Sequence, residues 1–135
     1  MMRTLLPHTH SSLFDVRSLH SLPKVQVFYD HPDTLAELYR HAAQSGVQGI
    51  VVAATGNGSL TPGALEGVSR AHRLGVVCVR ASRIHAGPVT DSAYDEDHHT
   101  ITAHYLPAQK ARILLMLCLA AQLEHDEITA AFRDY

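Results

Sequence analysis

The sequence predicts an α/β fold, a three-layer arrangement in which helices cover both faces of an open, mostly parallel sheet of about four strands. Three observations predict it. Residues 49–54 and 76–79 are short, wholly apolar runs, which are typical of strands covered on both faces. Helical patterns alternate with the predicted strands. The connections are also long enough for right-handed crossovers between parallel neighbours.

The first strand–helix unit lies near the N-terminus of the predicted domain. Residues 25–29 are rich in β-branched and aromatic side chains and predict a strand. Thr34 and Glu37 predict a capping box, in which each side chain satisfies an unpaired backbone amide at the start of the helix. Gly46 predicts where that helix ends. The helix face that we expect to be buried consists of Leu35, Leu38, Tyr39 and Ala42.

The second unit contains a glycine-rich loop between its strand and its helix. Residues 49–54 form the predicted strand, and the loop follows at residues 55–59. Pro62 suits the first turn of a helix, because its missing N–H would be unpaired there in any case. Gly75 predicts the end of that helix, and residues 76–79 predict the third strand.

The C-terminal half completes the predicted fold. Residues 82–99 contain turn-forming and charged residues and predict a long loop, and residues 100–103 predict a weak fourth strand. Pro107 predicts the start of an apolar helix, and a short last helix is expected over residues 126–133. The order β-α-β-α-β-β-α-α is typical of a Rossmann-like or flavodoxin-like sheet.

Length and composition limit the classes of function. The 135 residues suffice for one domain with a hydrophobic core, in which residues 1–22 are a linker-like arm and residues 23–135 the folded unit. A formal net charge of −2 gives no reason to expect nucleic acid or an anionic membrane as a partner. The longest apolar run, residues 113–121, is shorter than the roughly 20 residues of a transmembrane helix. We recognise no signal peptide, which predicts a cytoplasmic location for the chain as given.

The histidines and cysteines are the residues that invite metal or redox chemistry. The chain has 11 histidines, but none has the spacing of a helical ligand pair or a zinc site. We therefore expect histidines on loops and helix faces, with neither a metal nor a cofactor. Cys78 and Cys118 each lie in an apolar stretch, so free buried thiols are expected, with a disulfide as the alternative.

Charged side chains are concentrated after the third strand. Arg80 and Arg83 could bind a carboxylate ligand through their planar guanidinium groups, or pair with acidic neighbours. An acidic cluster follows them and could hold a cation or supply a general base. Its spacing does not match an EF-hand loop, so a solvated loop is the favoured interpretation. The cluster consists of Asp91, Asp95, Glu96 and Asp97.

Ligands of open parallel sheets bind beyond the carboxyl ends of the strands. Residues 30–33, residues 55–59 and the loop from Ser82 onward are expected to meet there. The segment G-N-G-S at residues 56–59 combines flexible glycines with short donors and acceptors, although a simple strand-to-helix turn is the alternative. It is neither a Walker loop nor a dinucleotide fingerprint. No G-x-S-x-G motif and no local Ser-Lys or Cys-His pair is present, so no catalytic residue is predicted.

Five short motifs occur in order along the chain. They are L-P-K-V at residues 22–25, G-I-V at 49–51, G-N-G at 56–58, V-R-A-S-R at 79–83 and Q-K-A-R-I-L-L at 109–115. With the closing Ile128, Phe132 and Tyr135, this set resembles the C-terminal domain of bacterial L-asparaginases, including the type II and glutaminase-asparaginase enzymes. The resemblance covers roughly residues 7–135.

The resemblance implies which parts of an active site this chain would supply. The family's nucleophilic Thr and its Thr-Lys-Asp proton-transfer group belong to an N-terminal domain that lies outside this sequence. The C-terminal domain completes the active site of a neighbouring subunit. Carried over by motif, the substrate-binding residues are Asn57, Ser59 and Glu96, with Tyr94 as the alternative to Glu96.

The expected function follows from the resemblance. A complete enzyme would hydrolyse L-asparagine to L-aspartate and ammonia, and the isolated chain is expected to be inactive. Its expected partners are the missing N-terminal domain or further copies in a homo-oligomer, and a periplasmic parent is compatible with the family. The alternative is a non-catalytic module that binds a small amino acid or assembles with another chain, or the relic of a truncated gene.

Overall fold

The computed structural model describes residues 11–135, and the first ten residues of the predicted arm lie outside that range. Four strands and five helices follow one another in the described part. They are β1 (Val25–Tyr29), α1 (Ala36–Gln44), β2 (Gly49–Ala54), α2 (Pro62–Arg73), β3 (Val77–Ser82), α3 (Ala93–His98), β4 (Thr100–Thr102), α4 (Ala108–Ala120) and α5 (His125–Asp134).

All four strands form one parallel sheet in the order β1-β2-β3-β4. Each strand therefore neighbours the one before it, and every connection between neighbours crosses over through a helix. This confirms the predicted α/β fold with a parallel sheet. The register pairs Tyr29 of β1 with Ala53 of β2, and Ala54 of β2 with Ser82 of β3, so these three strands end at a common edge.

Side chains of β2 alternate between two hydrophobic cores. Ile50 and Val52 point to the core shared with α1 and α2, which also contains Tyr39. Val51 points to the core shared with α4 and α5, which also contains Phe132. All six residues of β2 are buried, as expected for a strand covered on both faces. The three-layer prediction is therefore confirmed.

The start of α1 differs from the prediction. Its N-cap is Leu35, and no side chain caps it. The Thr34 hydroxyl instead donates to Asp30 Oδ1 at 2.8 Å and accepts from the His31 N–H, so the predicted capping box is wrong. The predicted buried face is only partly correct. Tyr39 is fully buried, whereas Leu35 is 64% exposed and Leu38 is 53% exposed.

The predicted loop over residues 82–99 contains a helix that the sequence pattern did not reveal. α3 has no buried residue, so it lacks the apolar periodicity that predicts a helix. The Ser92 N–H donates to Asp95 Oδ2 at 3.0 Å at its start. β3 also extends three residues beyond the predicted Val79, because Arg80 is buried there with a charged partner.

The C-terminal helices cover the second face of the sheet. Cys118 of α4 is buried, as is Cys78 of β3, and both thiols are free as predicted. Tyr135 contacts the N-terminal arm, since its hydroxyl accepts the Leu13 N–H at 3.1 Å and its ring lies 5.7 Å from that of Phe14. Within residues 11–135, no helix has the length and apolar character needed to cross a membrane.

Candidate functional site

A cavity opens at the carboxyl edge of the sheet, between the loop after β2 and the start of α3. Its volume is about 290 Å³, and we call it the edge cavity. Such an edge is where open parallel sheets bind ligands. The cavity is lined by Asn57, Gly58, Ser59, Leu60, Leu65, Arg80, Thr90, Ser92 and Tyr94.

Arg80 of β3 holds the walls of the edge cavity together. Its guanidinium is buried and forms a bidentate pair with Asp95, with Nε 2.6 Å from Oδ1 and Nη2 2.7 Å from Oδ2. Nη1 donates to the Gly58 carbonyl at 3.1 Å, and Nη2 donates to the Thr90 carbonyl at 3.0 Å. Of the two roles considered for Arg80, the structure supports pairing with an acidic neighbour.

Asp95 is the partly buried partner in this pair, with its side chain 15% exposed, and it does not belong to a solvated loop. Burial of its carboxylate would raise its pKa, but hydrogen bonds from Arg80, Thr100 and the Ser92 N–H outweigh burial and hold the pKa below its usual value. The Thr100 hydroxyl lies 2.7 Å from Asp95 Oδ1. Asp95 is therefore ionised at neutral pH, and its two oxygens are occupied by structural contacts.

Asn57 joins the glycine-rich loop to the segment before α3. Its side-chain amide donates to the Thr90 hydroxyl at 2.8 Å, and its amide oxygen accepts the Thr90 N–H at 2.7 Å. The flanking Gly56 and Gly58 have φ values of +51° and +76°, a region that disfavours other residues. A Cβ on Gly58 would also meet Val89, so the tight loop requires glycine there.

Ser59 and Tyr94 present polar groups at the edge cavity. The Ser59 backbone closes the loop by bonding Thr55 in both directions, and its side chain is exposed. The Ser59 hydroxyl has no hydrogen-bond partner within residues 11–135. The Tyr94 ring lies over the Arg80 guanidinium at 5.7 Å. Burial raises the pKa of Tyr94, so its hydroxyl stays protonated at neutral pH and is available as a donor.

Glu96 lies away from the other predicted substrate-binding residues. The structure brings Asn57, Ser59 and Tyr94 to one cavity, and Tyr94 was named as the alternative to Glu96. Glu96 lines a separate cavity of about 280 Å³ on the side of α3 that faces α5. The reason is helical geometry, because positions two apart on a helix point in different directions.

The sequence interpretation missed the role of Asp30, which follows β1. Asp30 is fully buried and accepts the Thr61 N–H at 2.8 Å and the Thr61 hydroxyl at 2.7 Å. It also accepts the Thr34 hydroxyl. Asp30 thus ties the starts of α1 and α2 together beside the edge cavity. Its position directly after a strand was a signal that could have indicated this role.

Residues 12–135 do not include an activated nucleophile. Within residues 12–135, no hydrogen bond joins a Ser or Thr hydroxyl or a cysteine thiol to a histidine ring or a lysine amine. Burial raises the pKa of Cys78 to about 12 and that of Cys118 to about 11, so neither forms a thiolate at neutral pH. In the same part of the chain, no group of three or more His, Cys, Asp or Glu side chains is arranged to hold a metal ion.

The fold and the edge cavity define a parallel α/β domain with a ligand-sized site at its carboxyl edge. Residues 24–132 match the family model described as the glutaminase/asparaginase C-terminal domain. The chain belongs to that family, and the resemblance predicted from the sequence motifs is confirmed.

Relatives and a solved structure agree with this assignment. The chain is 36% identical over 128 residues to L-asparaginase 2 of Bacillus subtilis, covering 95% of this chain and 34% of that protein. It is 33% identical over 131 residues to a glutaminase-asparaginase of Pseudomonas fluorescens, covering 95% of this chain and 36% of that protein. A structure of a probable cytoplasmic L-asparaginase from Campylobacter jejuni matches with a TM-score of 0.92 and 34% identity, covering all of this chain and 43% of that one. The chain thus spans about a third of the length of these curated relatives.

Proposed function

We propose that this domain completes the active site of an L-asparaginase, in which the catalytic residues come from another domain. The reaction would be hydrolysis of the side-chain amide of L-asparagine, or of a related small amino acid, to a carboxylate and ammonia. The observation that carries the proposal is the edge cavity, in which Ser59 and Tyr94 present hydroxyl groups in a chain of this family.

The contacts of the cavity support a role in binding. The Arg80 guanidinium is shared between Asp95 and backbone carbonyls, so it positions the loops and leaves ligand contacts to the side chains at the rim. The Ser59 hydroxyl can donate to a carboxylate or accept from an ammonium group. The Tyr94 hydroxyl can donate to a carboxylate. A zwitterionic amino acid offers both kinds of partner.

The chemistry of the described residues supports a non-catalytic role for the domain alone. Acyl transfer needs a nucleophile that an adjacent base activates. The hydroxyls and thiols of residues 12–135 have no such base, and both thiols are held protonated by burial. In this proposal the nucleophile and its base lie in a domain that corresponds to the remaining length of the relatives.

The proposal is tested by grafting the domain onto a complete enzyme. Residues 11–135 would replace the matching region of L-asparaginase 2 of Bacillus subtilis, and ammonia release from L-asparagine would be measured for the chimera and for the isolated domain. We expect activity from the chimera and none from the isolated domain. Ser59→Ala in the chimera should raise KM about tenfold, the effect of losing one hydrogen bond of roughly 1–1.5 kcal/mol.

A matched substitution controls for general destabilisation. Ser69→Ala makes the same chemical change on α2, away from the edge cavity, and should leave KM unchanged. Equal KM values for the Ser59→Ala and unsubstituted chimeras would contradict the binding role of Ser59. Activity of the isolated domain would contradict the whole proposal. A folded but inactive chimera would favour a domain that binds a small amino acid or only assembles.

A further inference from the structure

A pair of stacked histidines links α3 to α2 outside the edge cavity. The rings of His72 and His99 lie with their centroids 4.2 Å apart and their planes 14° from parallel. His72 is in the last turn of α2, and His99 directly follows α3. The proposed function does not use either ring, although the histidine content was a distinctive feature of the sequence.

His99 occupies a backbone conformation that few residues adopt. Its φ of 53° and ψ of 40° place it in the left-handed region, which few residues other than glycine adopt and in which Asn, Asp and His are enriched. This residue turns the chain from α3 into β4. The stack with His72 therefore holds the turn at the C-terminal end of α3.

α3 has few other anchors. None of its residues is buried, so hydrophobic packing does not fix it. Its first turn is held by the pair between Asp95 and Arg80, and the stacked histidines hold the residue after its last turn. α3 also carries Tyr94, so any movement of α3 changes the wall of the edge cavity.

Several charged or titratable groups surround the stacked pair. Burial, together with the charges of His99 and His125, lowers the pKa of His72. On α2 the neighbouring charges are Arg70 and Arg73, and His99 shares its cavity with Asp91, Asp95, Glu96, His125, Asp126 and Arg133.

We propose that the His72–His99 stack is a proton-sensitive latch that holds α3 against α2 while the rings are neutral and releases α3 when both are protonated. Two imidazolium cations in face-to-face contact repel each other, whereas neutral rings stack favourably. The latch concerns the position of α3 and does not depend on which reaction the complete enzyme catalyses.

The direction of the pH dependence follows from His72. A histidine with a lowered pKa in the folded state binds fewer protons than it does in the unfolded chain. Its contribution to stability is therefore complete above the ordinary histidine pKa of about 6.5 and is lost as the pH falls below it. Release of α3 is expected on the acid side of neutrality.

The latch can be tested by NMR through the Arg80 Nε–H, which donates to Asp95 of α3. Its exchange with solvent would be followed from about pH 8 to about pH 5, across the titration range of histidine. In the unsubstituted chain we expect protection to be lost as the pH falls. In His72→Phe the ring can still stack but cannot be protonated, so protection should persist over the whole range.

A second variant tests the latch without removing His72. In His99→Asn the left-handed conformation is retained, because Asn tolerates it, but the stack is lost. We expect weaker protection of the Arg80 Nε–H already at about pH 8 and a rise in the pKa of His72, read from its ring resonances. His41→Phe on the exposed side of α1 is the control and should behave like the unsubstituted chain.

Two outcomes would overturn the latch. Constant protection of the Arg80 Nε–H in the unsubstituted chain would show that α3 does not respond to histidine protonation. Loss of protection at the same pH in His72→Phe would assign the response to a group other than His72. An unchanged pKa of His72 in His99→Asn would show that the two rings do not interact.

Discussion

Arg80, which is buried, and Asp95, which is partly buried, form an ion pair whose other hydrogen bonds reach the walls of the edge cavity and of the cavity beside it. Burying two charges costs free energy unless their remaining donors and acceptors are satisfied. Here the guanidinium also donates to three backbone carbonyls, and the carboxylate also accepts from Thr100 and Thr102. The pair therefore specifies the geometry of the site at the scale of single residues.

Asp95→Asn should destabilise the fold strongly, because it leaves the Arg80 guanidinium buried without a counter-charge. We expect the free energy of unfolding to fall by about 3–5 kcal/mol, the usual effect of breaking a buried pair. Urea unfolding at neutral pH measures this loss. Asp97→Asn, on the exposed side of the same helix, is the control and should change the free energy by less than about 0.5 kcal/mol.

The same variant has a predicted pH signature. Because the pKa of Asp95 is lowered in the folded state, its contribution to stability is present above the ordinary Asp pKa of about 3.9 and is lost as the pH falls below it. The difference in unfolding free energy between the unsubstituted chain and Asp95→Asn should therefore shrink in acid. A difference that stays constant on acidification would contradict the lowered pKa.

At the scale of elements, α1 and α2 pack closely because one position between them has no side chain. Gly67 of α2 faces Tyr39 of α1, and a Cβ on Gly67 would collide with the Tyr39 ring. This contact explains why Tyr39 is fully buried while Leu35 and Leu38 remain exposed, since the helix is oriented by its aromatic contact. Periodicity alone had placed all three on the buried face.

Gly67→Ala should therefore destabilise the domain, although Ala is the better helix former. The propensity gain is about 1 kcal/mol, whereas overpacking costs about 1–3 kcal/mol. We expect a net loss of up to about 2 kcal/mol in urea unfolding. Ser69→Ala on the same helix adds no Cβ, because serine already has one, and should be neutral or slightly stabilising. A stabilised Gly67→Ala variant would show that α1 can move away at little cost.

At the scale of the whole molecule, the two hydrophobic cores share one sheet. The core beneath α1 and α2 contains Cys78, and the core beneath α4 and α5 contains Cys118. Both thiols are buried and free, so each reports on the opening of its own core. Because β2 contributes side chains to both cores, we expect them to open together.

Thiol labelling during urea unfolding tests this cooperativity. Cys78 and Cys118 should become reactive at the same urea concentration, as measured by mass spectrometry of each labelled peptide. Phe132→Ala, which empties part of the α4–α5 core, should lower both midpoints equally through a loss of about 3–5 kcal/mol. Reactivity of Cys118 well before Cys78 would show that the two layers unfold separately.

The sequence by itself determined the layers of this protein. The apolar strand at residues 49–54 and the alternation of strands with helices predict a parallel sheet covered on both faces, because those patterns reflect burial. The ordered motifs determined the family, which the match over residues 24–132 confirms. They also predicted Asn57, Ser59 and Glu96 as substrate-binding residues, with Tyr94 as the alternative to Glu96. Asn57, Ser59 and Tyr94 line one cavity and Glu96 lines another, and their role in binding stays a prediction.

Only the tertiary structure decided how the site is held. α3 has no buried residue, so no periodicity marked it, and Arg80 was equally compatible with a ligand or an acidic partner. The pairing of Arg80 with Asp95, 15 residues later, depends on how β3 and α3 meet in space. The stack of His72 on His99 likewise joins two helices that are distant in sequence. Local sequence patterns indicate burial and secondary-structure propensity. These contacts form only when the crossover connections bring the carboxyl ends of the strands to one edge of the sheet.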